Sequence, residues 1–117
     1  MVEPPVFVLS AAERLARAFA AERIVLFGSY AKGTATPDSD VDLLVVARLA
    51  GDLAVYQRRA EQLIVDYFPL IDVLMCTPQD LEEARSDRSQ FLLSVIDSGV
   101  TVYNRSKANE TREELGL

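Results

Sequence analysis

The stretch that decides the fold runs from Leu26 to Val46, LFGSYAKGTATPDSDVDLLVV. An apolar run ends at the pair Gly28-Ser29, and a span of mostly small or turn-forming residues follows. Two aspartates one residue apart, Asp40 and Asp42, then open a second apolar run. Arg23 to Phe27, rich in β-branched and large apolar residues and halted by glycine, predicts a buried strand that ends in a turn. Val41 to Val46 is apolar on both faces apart from Asp42, the pattern of an interior strand.

Outward from this stretch, Ser10 with Glu13 three residues later reads as a capping box. Ala12, Leu15, Ala16 and Phe19 follow at helical spacing, predicting a helix over 10–21. Asp52 is placed to cap a helix whose apolar face is Leu53, Tyr56, Ala60, Leu63, Ile64 and Tyr67 and which ends before Pro69. Leu70 to Cys76 forms a third strand, apolar except for Asp72. Thr77, Pro78 and Asp80 start another helix, and a further one over 88–98 presents Phe91, Leu92, Val95 and Ile96 before Gly99 as its C-cap. Val100 to Tyr103 is a last short strand, and 104–117 is a polar tail. The order α-β-β-α-β-α-α-β predicts an α/β (α+β) domain over 1–103, a small sheet with helices packed mainly on one face.

A chain of 117 residues fits one such domain, and half of it is hydrophobic, enough for a core. It contains no histidine and a single cysteine, Cys76, which excludes Cys/His zinc sites, histidine-based triads and an internal disulfide. Cys76 reads as a small core residue. The net charge of −6 argues against a broad grip on nucleic acid, whose non-specific affinity comes from clustered Lys and Arg. No apolar run is long enough to span a membrane and no basic signal-peptide region opens the chain, so a cytoplasmic address is expected. Catalysis must then draw on carboxylates, hydroxyls, lysine or a hard metal.

The glycine turn fits neither common phosphate fingerprint. Thr34 follows Gly33 where a P-loop needs lysine, and Tyr30 stands where the dinucleotide fingerprint needs its second glycine. What remains is a turn whose backbone N–H groups and Ser29 hydroxyl can approach phosphate oxygens closely. Residues i and i+2 of a strand share a face, so Asp40 and Asp42 are expected side by side, with Asp72 repeating the pattern on another strand. Adjacent carboxylates beside apolar strands repel one another and lose solvation. A hard divalent cation such as Mg²⁺, which prefers oxygen ligands and substrate phosphates, removes that penalty. Any one of the three is explained by a strand end reaching solvent; the set is not. Asp38 reads as turn chemistry, Ser39 is expected to orient Asp40, and Lys32 and Arg48 face either a bound phosphate or solvent.

Gly28-Ser29, the loop Tyr30 to Ser39 and Asp40-Val41-Asp42 resemble the signature of the DNA polymerase β-like nucleotidyltransferase superfamily. The likeness extends over nearly the whole chain, through PLIDVLM and VIDSGVTVY, to its compact members, the minimal nucleotidyltransferases or MNT domains. The resemblance implies a polymerase β-like nucleotidyltransferase fold, with Gly28 and Ser29 holding nucleotide phosphates. It implies that Asp40, Asp42 and Asp72 ligate two Mg²⁺ ions, and that Asp72 takes the proton from the attacking hydroxyl. It also implies ATP as donor and an all-helical HEPN protein as partner in a toxin-antitoxin pair, the MNT member being the antitoxin that adenylylates a hydroxyl of the toxin. Two other readings stay open: an antitoxin that masks its partner by binding alone, and transfer to a small molecule such as an aminoglycoside. The second is disfavoured by the want of a dedicated acceptor domain.

Overall fold

Both strands of the deciding stretch form with the predicted bounds. The computed structural model describes residues 3–67, 70–87 and 90–106. In chain order the elements are α1 (Val6–Phe19), β1 (Arg23–Phe27), α2 (Ser29–Lys32), β2 (Val41–Val46), α3 (Leu53–Leu63), β3 (Ile71–Cys76), α4 (Pro78–Asp87), α5 (Gln90–Ser98) and β4 (Val100–Asn104). The strands make one mixed sheet in the order β3-β2-β1-β4. β1 runs antiparallel to both β2 and β4, while β2 and β3 are parallel. β2 is thus an interior strand, which accounts for its apolar residues on both faces.

Strand alternation divides the core. Ile24, Leu26, Val41, Leu43, Val45, Val73 and Met75 point to one face, where they meet Val8, Ala11, Ala12, Leu15, Ala16 and Phe19 of α1 and Ala60 of α3. Spacings of three and four along α1 put all six of its residues on a single stripe. Val25, Leu44, Val46 and Cys76 point to the other face, under Val95 and Leu92 of α5 and Leu81 of α4. The expected one-sided helix layer is the larger cluster; α4 and α5 add a smaller layer opposite it.

Local chemistry explains the element ends. Asp52 accepts the Ala54 amide at 2.9 Å and caps α3 as expected. Thr77 and Asp80 cap α4 reciprocally, Thr77 Oγ1 accepting the Asp80 amide at 3.1 Å and Asp80 Oδ2 accepting the Thr77 amide at 2.9 Å. α1 differs from expectation. It starts at Val6, behind Pro5 with φ −60° and ψ 153°, because proline suits a helix start. Ser10 is therefore inside the helix rather than capping it, and its hydroxyl pairs with the Tyr67 hydroxyl at 2.9 Å. Gly99 ends α5 by donating its amide to Val95 O at 2.9 Å. Its lack of a side chain matters for space: a Cβ there would overlap Val25 Cγ1 and fall 2.9 Å from Leu26 O.

Each sheet edge is obstructed. On β3, the Gln57 carboxamide donates to Val73 O and accepts the Met75 amide at 3.0 Å, occupying backbone groups that an incoming strand would use. On β4, the pairing with β1 jumps from Ile24↔Tyr103 to Val25↔Thr101, leaving Val102 as a bulge. The polar tail expected from 104 onward lies, beyond 106, outside the described residues.

Candidate active site

The register fixes the site. Phe27 pairs with Asp42 across β1 and β2, and Asp42 pairs with Asp72 across β2 and β3. Phe27, Asp42 and Asp72 therefore form one row across three strands, on the face that Leu44 and Leu74 share with α5. The Val41 amide donates to Leu70 O at 2.9 Å, tying the start of β2 to the residue that precedes β3. Asp40 lies one residue before β2 and is exposed, whereas Asp42 is half-buried. The expected side-by-side strand pair is thus a loop-end carboxylate beside a strand carboxylate.

Gly28 is required where it stands. Its backbone has φ 73° and ψ −152°, a region that is essentially glycine's alone. A Cβ would also overlap Asp42 Oδ2 and lie 3.3 Å from its Cγ, so the glycine makes the space the carboxylate occupies. Ser29 then opens α2, a helix of only four residues within the span expected to be loop. Gly33 closes it with φ 75°, and Thr34 donates its amide to Ser29 O at 3.0 Å. Ser39 does not hold Asp40. Its Oγ instead accepts the Thr36 amide at 2.8 Å and its amide donates to Thr36 O at 3.0 Å, so the pair locks the turn that delivers Asp40.

Burial first, then the charges of Asp72 and Asp40, raise the Asp42 carboxyl above the usual carboxylate range. Among the described residues no group of three acidic or cysteine side chains is gathered as a ready metal site. The donor set nevertheless fits a hard divalent cation, since Asp42 and Asp72 on adjacent strands and Asp40 at the loop end before β2 offer only oxygen, and a cation would offset both the burial and the repulsion that raise Asp42. Lys32 is exposed at the end of α2. Arg48 is removed from the site; it lies past the opposite end of β2, bonded to Glu22 at 2.7 Å. Cys76 is buried, and that burial, with a smaller push from Asp80, raises its thiol to about 12, as suits an inert core residue.

With that geometry in place, the pattern of the nucleotidyltransferase domain matches residues 10–114. The chain belongs to the nucleotidyltransferase domain family. Among solved structures, it resembles a protein from Sulfolobus solfataricus provisionally assigned as a nucleotidyltransferase, with 22% identity over 86% of this chain and 79% of that one and a TM-score of 0.58. It also resembles a toxin-antitoxin solved with AMP-PNP, at 24% identity over 88% of this chain and 78% of that one, with a TM-score of 0.58. A variant of the toxin-antitoxin MntA-HpeT with two Asp-to-Glu substitutions matches at 20% identity over 88% and 78%, with a TM-score of 0.55. These neighbours share the nucleotidyltransferase fold. A search of curated proteins returned no match. No helix among the described residues is long and apolar enough to cross a membrane.

Sequence reasoning missed Phe27 as the neighbour of Asp42 and Phe91 as the neighbour of Phe27. Their rings pack edge to face, with centroids 6.0 Å apart and planes at 84°. Both stood out only as apolar residues of their elements, because the antiparallel register that sets Phe27 opposite Asp42 is a long-range property.

Proposed function

We propose that this nucleotidyltransferase moves AMP from ATP to a hydroxyl of a helical HEPN-type partner protein, as the antitoxin of a pair. The observation that supports it most is the row Asp42–Asp72 with the carboxylate of Asp42 seated in the space left by Gly28. The neighbours described as toxin-antitoxins, one solved with AMP-PNP, favour an adenine nucleotide and a protein partner.

In this reading Gly28 lets the triphosphate approach the backbone and the Ser29 hydroxyl donates to it. Asp40, Asp42 and Asp72 would hold two Mg²⁺, which supply electrostatic stabilisation to the attacking and leaving oxygens of an in-line displacement. The acceptor hydroxyl oxygen forms a bond to the α-phosphorus, the bond to the pyrophosphate oxygen breaks, and the hydroxyl proton passes to the Asp72 carboxylate. Asp72 suits that task by its exposure at the start of β3, where an acceptor can reach it.

The test is incubation with ATP radiolabelled at the α-phosphate, Mg²⁺ and the helical protein encoded beside this chain. Label should pass to the partner with the wild type and not with Asp42→Asn. The alternative reading is an antitoxin that acts by binding alone. Neutralisation that persists unchanged in Asp40→Asn/Asp42→Asn, with no transfer by the wild type, would establish that reading instead.

A further inference from the structure

Phe91 is exposed over 55% of its surface, although α5 buries Val95 and packs Leu92 and Ile96 on the same sheet face. Its ring rests on Phe27, the residue that precedes Gly28 and stands opposite Asp42. Phe91 also lines a cleft of about 520 Å³, with Leu74, Ala84 and Leu92 among its walls and the acidic residues Asp80 and Glu83 beside them. Leu74 lies two residues along β3 from Asp72 and on the same face, so one wall of the cleft stands on the strand that carries that aspartate. Aspartate and glutamate in its wall repel a triphosphate and accept hydrogen bonds from amino groups. The anionic end of a nucleotide is therefore directed to Gly28-Ser29, and a flat, uncharged, amino-bearing end to the cleft.

The geometry points to Phe91 as the base-positioning residue of the site: it stacks the purine ring of the donor nucleotide at the mouth of this cleft, with Glu83 facing the exocyclic amino group. The inference rests on the nucleotidyl-transfer reading above. Phe27 holds the ring of Phe91 in an edge-to-face contact, and the exposed surface of Phe91 is left for a base, since every base offers a π-face to an aromatic side chain.

Calorimetric titration of the whole chain, without any acceptor, with ATP and with inorganic tripolyphosphate, both in Mg²⁺, tests it. The wild type should bind ATP more tightly than tripolyphosphate. Phe91→Ala should weaken ATP roughly 5- to 150-fold, the range for removing a base-stacking aromatic, and leave tripolyphosphate unchanged. Phe91→Trp should retain ATP binding, and melting curves should show each variant folded, since the side chain removed is largely exposed. ATP binding by Phe91→Ala within twofold of the wild type overturns the inference, including the case where only transfer to an acceptor falls, which would assign Phe91 to the acceptor. A wild type that binds both probes equally overturns the inference and leaves the nucleotidyl-transfer reading standing. A wild type that binds neither overturns both.

Discussion

Replacing Gly28 by alanine separates two strains that the fold superimposes at one atom. The first is conformational: φ 73° with ψ −152° is closed to residues with a Cβ, and holding alanine there costs about 1–3 kcal/mol. The second is steric, because the new methyl displaces Asp42 Oδ2, and turning that carboxylate off its rotamer costs about 0.5–1.5 kcal/mol. Gly28→Ala should therefore destabilise the chain by about 2–4 kcal/mol, a fall in Tm of roughly 8–15 °C for a domain of this size. Only the second strain depends on the Asp42 carboxylate. In an Asp42→Ala background the nearest remaining atom of residue 42 is Cβ, at an ordinary 3.6 Å, so the steric part disappears and the conformational part stays. Urea denaturation of the two single variants and the double variant, run in EDTA, closes the cycle. The expected coupling is about 0.5–1.5 kcal/mol, the double variant being less damaged than the sum of the singles. A coupling below about 0.3 kcal/mol would refute the claim that Gly28 is there to admit the carboxylate.

Asp42→Asn should abolish nucleotidyl transfer yet stabilise the cation-free chain, by about 0.5–1 kcal/mol after allowance for solvent screening. The folded carboxyl is raised, so its contribution is intact below the unfolded value and is lost as pH rises through the folded one. The Tm advantage of the variant in EDTA should grow as pH rises from about 4, and an advantage independent of pH would exclude this cause. Gln57→Ala strips the bonds to Val73 O and the Met75 amide, and should cost about 1–3 kcal/mol in denaturation while raising light scattering on storage; an unchanged midpoint would contradict its role. Ala20 ends α1 in the left-handed region at φ 49° on the surface, so Ala20→Gly should stabilise by about 1 kcal/mol, and a lower Tm would show that the strain is absent.

Much of this site is legible in the sequence, for reasons particular residues make plain. β1 and β2 keep their predicted bounds because Gly28 stops one apolar run and the polar turn ending at Asp40 delimits the other. Asp52 and Thr77 cap as read because capping is settled within three residues. What escaped is set by distance along the chain. Ser10 carries a capping signal but spends its hydroxyl on Tyr67, and the helix begins earlier at the prolines. α2 is a single turn, too short for any periodicity to register. Ser39 looked like a partner for Asp40 because it adjoins it, whereas the turn geometry points its hydroxyl back to Thr36. The neighbourhood of Asp42 and Asp72 was inferred from chemistry; only the parallel register shows them opposite each other.

The obstructed edges of the sheet bear on how the proposed partner would be chosen. Backbone hydrogen bonding is the same for every sequence, so a sheet with an open margin admits almost any extended segment. With Gln57 covering β3 and the Val102 bulge breaking the spacing of β4, that indiscriminate route is hindered at both margins. Discrimination between partners then falls to side chains on helix faces and loops, which substitution can alter one at a time without touching the fold. Two diverged copies of such a domain sharing one cell would then be told apart by their side chains, since the described sheet edges hinder pairing through backbone alone.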